Sequence, residues 1–274
     1  MKNLSFSALS KIGNLIEEHF NSLSLKFLGM IPNLKKPKKP GTSISFSVEP
    51  NSISSLFIEA LGTETPTKPE EDALKSLLMI SDSYVDALKD RTKAQVMQEI
   101  SAYTHDMGKQ NKPINMTKVS NIFEEKMDKA KTHFEMIAGQ ESHKAGNVGT
   151  AMSIVKVAEN IDDNDPTVFF IVTQDDKTGP YEYILHLLPD KVTPRLWKLS
   201  EVTANYFKPG DQYPSLSGLH VFCRCKITYL PPNFGFSENG HIKFIAIGHD
   251  EFKIQREKYG LPSVPAKISK KKQK

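Results

Sequence analysis

Gly218-Leu219-His220-Val221-Phe222-Cys223-Arg224-Cys225 is the stretch of sequence that decides how the C-terminal part of this chain folds. Three side chains that commonly bind metals, His220, Cys223 and Cys225, fall within it. Ligands spaced two or three residues apart converge only from a tight turn, which Pro214 and Gly218 favour. An imidazole nitrogen and two thiolate sulfurs suit zinc, which prefers four tetrahedral ligands. The pattern therefore predicts either a zinc site or, without a metal, a packed turn with buried thiols and a hydrogen-bonded histidine.

The fourth ligand of such a zinc site has to come from elsewhere in the chain. His186 and Glu182 are the best candidates, because they are four residues apart on a predicted short helix over residues 181–188 and share one face of it. His143 is a more distant candidate. We expect the turn to clamp the last strand onto this helix, with Arg224 beside the thiolates and lowering their pKa. Since cysteines one residue apart form only a strained disulfide, they indicate reduced thiols in a soluble protein made in a cytoplasm.

Long helices are predicted before this turn, because apolar residues recur there at three- and four-residue spacing. The helical segments cover residues 5–28, 52–61, 70–107 and 117–159. Glycines at 139, 146 and 149 predict a bend in the last helix, or the close approach of another backbone. Residues 31–50 are rich in proline, lysine and serine, and they predict an extended arm.

The sequence changes character after residue 160, where β-branched and aromatic runs predict strands. The predicted strands cover residues 167–173, 226–230 and 241–247, and one or two helical turns are expected within 198–207. The fold class is therefore α+β, with long helices followed by a small mixed α/β C-terminal module and extended arms. We divide the chain into an N-terminal helix with a basic arm (1–50), a helical region (51–114), the module (115–235) and a C-terminal extension (236–274).

The charge and the apolar content of the sequence indicate which kinds of partner this chain can bind. The net charge is +4, and lysines cluster in the first arm and in the C-terminal tail. These lysines are expected to contact phosphate backbones or an acidic protein surface, or else to be solvated side chains. They are Lys35, Lys36, Lys38, Lys39, Lys270, Lys271 and Lys272. Trp197, between basic residues, is expected to cover the rim of the module or else to stack on a base. No apolar run is long enough to cross a bilayer, so we predict no membrane partner.

The turn and the segments before it also resemble a known pattern. Ser217 to Cys225 is similar to the H-P-x-C-R-C signature that closes the phage Mu protein F-like head morphogenesis module, with Val221 in place of the usual proline. Asp175-Asp176-Lys177-Thr178 resembles the family's D-x-[RK]-T turn, which commonly continues as C-x-x-C; here Gly179 and Glu182 replace those cysteines. The segment Gln140-Glu141-Ser142, with Ala145 and Asn147, resembles the family's R-T-E…N helix. Of these pieces, the H-x-x-C-R-C turn is the most specific.

This resemblance implies a minor head protein of a phage, present in few copies and structural in role. It implies a place in the virion, at the portal vertex or the inner capsid wall, and an action in head assembly or DNA delivery. The implied partners are the portal, the major capsid protein and packaged DNA. Asp175, Lys177, Thr178 and Arg224 are the motif residues that the resemblance carries over to this chain.

Two other classes of function were weighed against this one. A zinc-dependent hydrolase would use Asp175, Asp176 or Glu182 as carboxylates and His186 as a base, with water on an open metal position. The chain has none of the common hydrolase or nucleotide-binding signatures, so we predict that it is not an enzyme. A basic nucleic-acid-binding protein is the second alternative.

Overall fold

A computed structural model describes residues 11–21, 52–63 and 65–266. Residues 11–21 form helix α1. The other helices are α2 (Ile53–Leu61), α3 (Lys68–Lys109), α4 (Met116–Glu159), α5 (Pro180–Leu185) and α6 (Glu251–Tyr259). The strands are β1 (Thr167–Ile171), β2 (Trp197–Lys198), β3 (Lys226–Tyr229), β4 (Phe234–Phe236) and β5 (Ile242–Phe244). Long helices followed by a small module of antiparallel strands confirm the predicted α+β class.

Two compact units account for the described residues. The first lies within Met1–Ser55 and Ala73–Gly139, and the second within Leu56–Asp72 and Gln140–Lys274. The division therefore falls within α4, whereas the sequence placed a boundary at 114/115. The boundary placed at 235/236 falls inside β4, and the hairpin and α6 that follow belong to the second unit.

Helix α4 runs without interruption from Met116 to Glu159, so its glycines do not break it. Close backbone approach, the other expectation for these glycines, is found at Gly149. A Cβ built on Gly149 would lie 2.5 Å from the carbonyl oxygen of Phe57, whereas one built on Gly146 would have no neighbour within 4 Å. Because Gly149 has no side chain, the backbone of α2 can lie directly against α4 at this position.

The second unit is built around a three-stranded antiparallel sheet in the order β2-β1-β3. Phe170 pairs with Ile227 and Val168 with Trp197. Alternate residues of β1 point to opposite faces of the sheet. One face, with Val168 and Phe170, enters a core shared with α4 and α5; the other, with Phe169, packs under the β4–β5 hairpin and α6. No local sequence pattern predicted β2, β4 or α6.

Both positions that the sequence suggested for Trp197 are wrong. It is neither a rim residue nor available to stack on a base, because its side chain is fully buried. The indole Nε1 donates a hydrogen bond to the carbonyl of Leu185 at 2.9 Å, and Arg256 lies over the outer ring face. Trp197 therefore joins β2 to the end of α5 inside the core.

A carboxamide side chain bonds each outer edge of the three-stranded sheet at one point. On the β3 edge, Asn147 of α4 donates to the carbonyl of Cys225 and accepts from the N–H of Ile227, both at 3.2 Å. On the other edge, Gln255 of α6 accepts from the N–H of Leu196 and donates to Pro194 at 3.1 and 3.2 Å. Each amide replaces a neighbouring strand, because it bonds one carbonyl and the N–H two residues on.

Some predictions fall outside the described residues. They include the first helix beyond residues 11–21, the extended arm 31–50, and all of the clustered lysines of the arm and tail. Among the helices that are described, none combines the length and apolar character needed to cross a membrane.

Candidate metal centre

The H-x-x-C-R-C stretch forms a tight turn, as the sequence predicts. Gly218 has a φ of +80°, and a Cβ there would lie 2.6 Å from the Cβ of Cys223, so no other residue fits without movement. The N–H of Cys223 donates to the carbonyl of His220 at 3.1 Å. Phe222, at the tip, has a φ of +62° and an exposed ring. The turn therefore directs Cys223 and Cys225 inward.

Glu182 of α5 brings a carboxylate onto both thiols. Its Oε1 lies 3.1 Å from the Sγ of Cys225 and 3.7 Å from the Sγ of Cys223. The ligand atoms of these three buried residues all lie within 4.8 Å of one another, so the group could hold a metal ion. Glu182 is also fixed from behind, because the N–H of Gly179 donates to its Oε2 at the start of α5. The structure thus brings together three of the six residues that the sequence proposed as ligands.

His220 lies beside this group, on the side of the carboxylate. Its Nδ1 is 2.8 Å from the carbonyl of Val221, so Nδ1 must carry a hydrogen and donate it. Its Nε2 lies 3.1 Å from Oε1 of Glu182, without an aligned hydrogen bond. The neutral imidazole would therefore point a lone pair at a carboxylate, which is unfavourable unless a proton or a cation lies between them.

The charges of the group are strongly coupled. Burial opposes ionisation of Glu182, but its contacts with His220 and the Gly179 N–H lower the carboxyl pKa to about 2. Glu182 in turn raises the pKa of His220 to about 9. Hydrogen bonding with Cys225 lowers the pKa of Cys223, while the same contact raises the pKa of Cys225. Cys223 is therefore the more acidic thiol, and Cys225 is the one that donates to the carboxylate.

The same donors satisfy two states. With protons, Cys225 donates to Glu182 and protonated His220 neutralises the carboxylate. With a metal, the two sulfurs and the carboxylate oxygen are the donors that lie within 4.8 Å of one another, and His220 lies outside that group. The geometry therefore fits the protonated cluster, and it brings together three of the four donors that a tetrahedral zinc site needs.

Arg224 does not act on the thiols as expected. Its Nη2 lies 2.7 Å from Oδ1 of Asp175, and this pairing lowers the pKa of Asp175 to about 2. Asp175 also accepts from the N–H of Lys177, and the hydroxyl of Thr178 donates to the carbonyl of Thr173. The D-x-K-T turn and the H-x-x-C-R-C turn are thus joined by an ion pair.

The other two histidine candidates lie outside the group of three. His186 is fully buried and stacks on Phe170, with neither ring nitrogen hydrogen-bonded within the described part of the chain. Burial lowers its pKa to about 4, so it is neutral. His143, on α4, contacts Asn147 at 3.0 Å and lies next to Cys223 across Gly218. It is closer to the thiols than the sequence suggested.

Asn147 is the site residue whose role the sequence did not reveal. Besides bonding the β3 edge, its Nδ2 donates to the carbonyl of Leu216 at 3.1 Å, at the entrance to the turn. A lone buried asparagine on an apolar helix stripe was the available signal. Comparisons with known proteins add no assignment, since the chain matches no protein-family model, no curated protein and no solved structure.

Proposed function

We propose that this chain is a minor head protein of a phage particle, structural and not enzymatic, whose C-terminal module is held together by a zinc ion. The observation that carries the proposal is the meeting of the two motif segments in space. Asp175 of the D-x-K-T turn pairs with Arg224, and Glu182, at the second cysteine position of the C-x-x-C pattern, contacts both thiols. The contact between these two segments, 41 residues apart in the chain, supports the resemblance on which the proposal rests.

Position 179 supports the same proposal. Gly179 stands at the first cysteine position of the pattern, and a Cβ built on it would lie 3.3 Å from Oε2 of Glu182 and 3.8 Å from Nε2 of His220. A side chain at 179 would therefore point at the cluster. In this chain the buried group that could hold the ion consists of Glu182, Cys223 and Cys225, and His220 is the proposed fourth ligand.

Burial favours a structural over a catalytic role. Glu182, Cys223 and Cys225 are all buried, and a catalytic zinc needs a position open to water and substrate. A closed site instead contributes its binding free energy to folding. In this role the zinc ion joins the turn that precedes β3 to α5. The module is then a rigid body that docks inside the head.

The proposed partners follow from the resemblance: the portal, the major capsid protein and packaged DNA, within the virion. The test is co-expression of the chain with the portal and major capsid proteins of the genome that encodes it, followed by purification of assembled heads. We expect the wild-type chain in the heads at a few copies, and the Cys223→Ser/Cys225→Ser variant to be missing from them. Heads that assemble normally and never contain the wild-type chain would refute the head role.

The zinc has its own test. The purified wild-type chain should contain one zinc ion per molecule, and a chelator should lower its melting temperature. The Cys223→Ser/Cys225→Ser variant should melt at the lower temperature with or without chelator. The Gly179→Cys/Glu182→Cys variant should still bind zinc, now through four thiolates, and show the cobalt–thiolate absorption of such a site with Co²⁺. A wild-type chain that is metal-free and insensitive to chelator would leave only the protonated form of the cluster.

A further inference from the structure

Arg195 is a buried arginine whose guanidinium makes few bonds. It lies just before β2, where its backbone N–H donates to the carbonyl of His186 at 2.9 Å. The residue is 9% exposed, and its Nη1 donates to the carbonyl of Gly260, just beyond the end of α6, at a long 3.3 Å. Its Nε is buried and bonds no atom of the described residues. Most of the hydrogen-bonding capacity of the guanidinium is therefore unused.

The positive charge of Arg195 has no opposite charge beside it. A guanidinium stays protonated in proteins, so it cannot become neutral by losing a proton. No acidic side chain of the described residues pairs with Arg195, and its charged neighbour is Arg256. Burial and the repulsion from Arg256 both lower the pKa of Arg195, so both disfavour its charge. A buried charge is strongly unfavourable unless an opposite charge accompanies it.

Two carboxylates of the same unit are engaged elsewhere. Glu201 accepts a hydrogen bond from Nη2 of Arg256 at 2.7 Å, which neutralises Arg256. Asp190 accepts from two backbone N–H groups and from the hydroxyl of Thr193, at 2.7–2.9 Å. Neither carboxylate therefore serves as the counter-charge of Arg195.

The end of α6 offers a weaker alternative. Carbonyl groups at the C-terminus of a helix carry partial negative charge, and they attract cations. This attraction is smaller than the cost of burying an unpaired charge. The helix end therefore accounts for the contact of Arg195 with Gly260, but not for the unpaired Nε.

The free part of the guanidinium indicates which kind of ligand fits. Nε and Nη2 of an arginine present two parallel N–H bonds along one edge, which match two oxygens of a carboxylate or a phosphate. Tyr259 interacts electrostatically with both Arg195 and Lys258, and Lys258 is exposed. A second positive charge therefore lies at the same corner of the molecule.

We propose that Arg195 binds an oxyanion, a carboxylate or a phosphate group, at the C-terminal end of α6, with Lys258 as a second positive charge. This site is independent of the metal cluster and of the proposed role in a phage head. The edge of the guanidinium supplies two hydrogen bonds, and the oxyanion supplies the opposite charge that the described residues do not.

Thermal melts with added oxyanions test the site. The wild-type chain is melted in sodium chloride, sodium acetate and sodium phosphate at equal ionic strength, so that charge screening is the same in each salt. We expect acetate, phosphate or both to raise the melting temperature by roughly 3–5 °C over chloride, at about ten times the dissociation constant. The salt that acts identifies whether the site takes a carboxylate or a phosphate.

Three variants make the result specific to Arg195. Arg195→Met keeps most of the apolar stem and removes the charge, so the variant should fold and lose the rise in melting temperature. Lys258→Met changes an exposed side chain and should reduce the rise. Arg91→Met removes an exposed guanidinium from α3, in the other unit, and should keep the full rise.

The proposal fails if the wild-type chain melts at the same temperature in all three salts. It also fails if Arg195→Met keeps the full rise, because the oxyanion would then bind elsewhere. If Arg195→Met does not fold, the comparison of Lys258→Met with Arg91→Met decides, and an equal rise in both would overturn the proposal.

Discussion

Asn147→Leu tests how the module is joined to α4. Leucine keeps the volume of the side chain but removes its hydrogen bonds, so the N–H of Ile227 and the carbonyls of Leu216 and Cys225 lose their partner. An unpaired buried polar group costs roughly 1–3 kcal/mol. Since the three groups are adjacent and their costs do not simply add, we expect a loss of about 3–5 kcal/mol, a large part of a typical unfolding free energy.

The assay is urea unfolding followed by the fluorescence of Trp197, the only tryptophan of the chain, which is buried in the same unit. Asn121→Leu is the matched control, because it makes the same change at an exposed position of α4 and should shift stability by less than about 0.5 kcal/mol. Asn147→Asp keeps an acceptor for Ile227 but sets a carboxylate against two carbonyls, so it should be at least as damaging. If Asn147→Leu costs under about 1 kcal/mol, the amide does not hold the sheet edge and the account of how β3 meets α4 is wrong.

Two further predictions concern single contacts. Gly149→Ala should lower the free energy of unfolding by about 1–3 kcal/mol, because the new methyl group would overlap the carbonyl of Phe57. Gly146→Ala, in open space on the same helix, should raise it by about 0.5–1 kcal/mol in the same melts; equal effects at the two positions would contradict the close approach. Asp175→Asn should destabilise the chain above pH 3.8, with the difference from wild type shrinking as pH falls towards 2, because Arg224 holds the folded-state pKa of Asp175 at about 2. A difference that stays constant over that range, followed by circular dichroism, would show that the ion pair does not contribute.

The local signals of the sequence were sufficient for much of the fold. Helical spacing identified α2, α3 and α4 to within two residues, and β-branched runs identified β1 and β3. The turn at Gly218, the inward cysteines and the contact with the helix at Glu182 also followed from residue types and spacing. These features are determined by neighbours in the chain, so they can be read from it.

The elements that the sequence did not reveal are short and depend on distant partners. Strand β2 has two residues, and it is defined by its pairing with β1, a distant segment of the chain. Trp197 lies between basic residues, which suggested a surface position, but the sheet turns its ring into the core. A short segment has little intrinsic preference for helix or strand, so its packing against distant residues decides which of them it forms.

The candidate site also has features that the local sequence determines and features that only the tertiary structure determines. Residue chemistry determined that His220, Cys223 and Cys225 would share one turn, and helix spacing brought Glu182 and His186 into consideration. Only the tertiary structure chose Glu182 over His186, turned Arg224 towards Asp175 and set His143 beside Cys223. The reason is physical: residues four apart share a helix face, but a difference of a few ångströms in how that face meets a distant turn decides which side chain reaches the sulfurs.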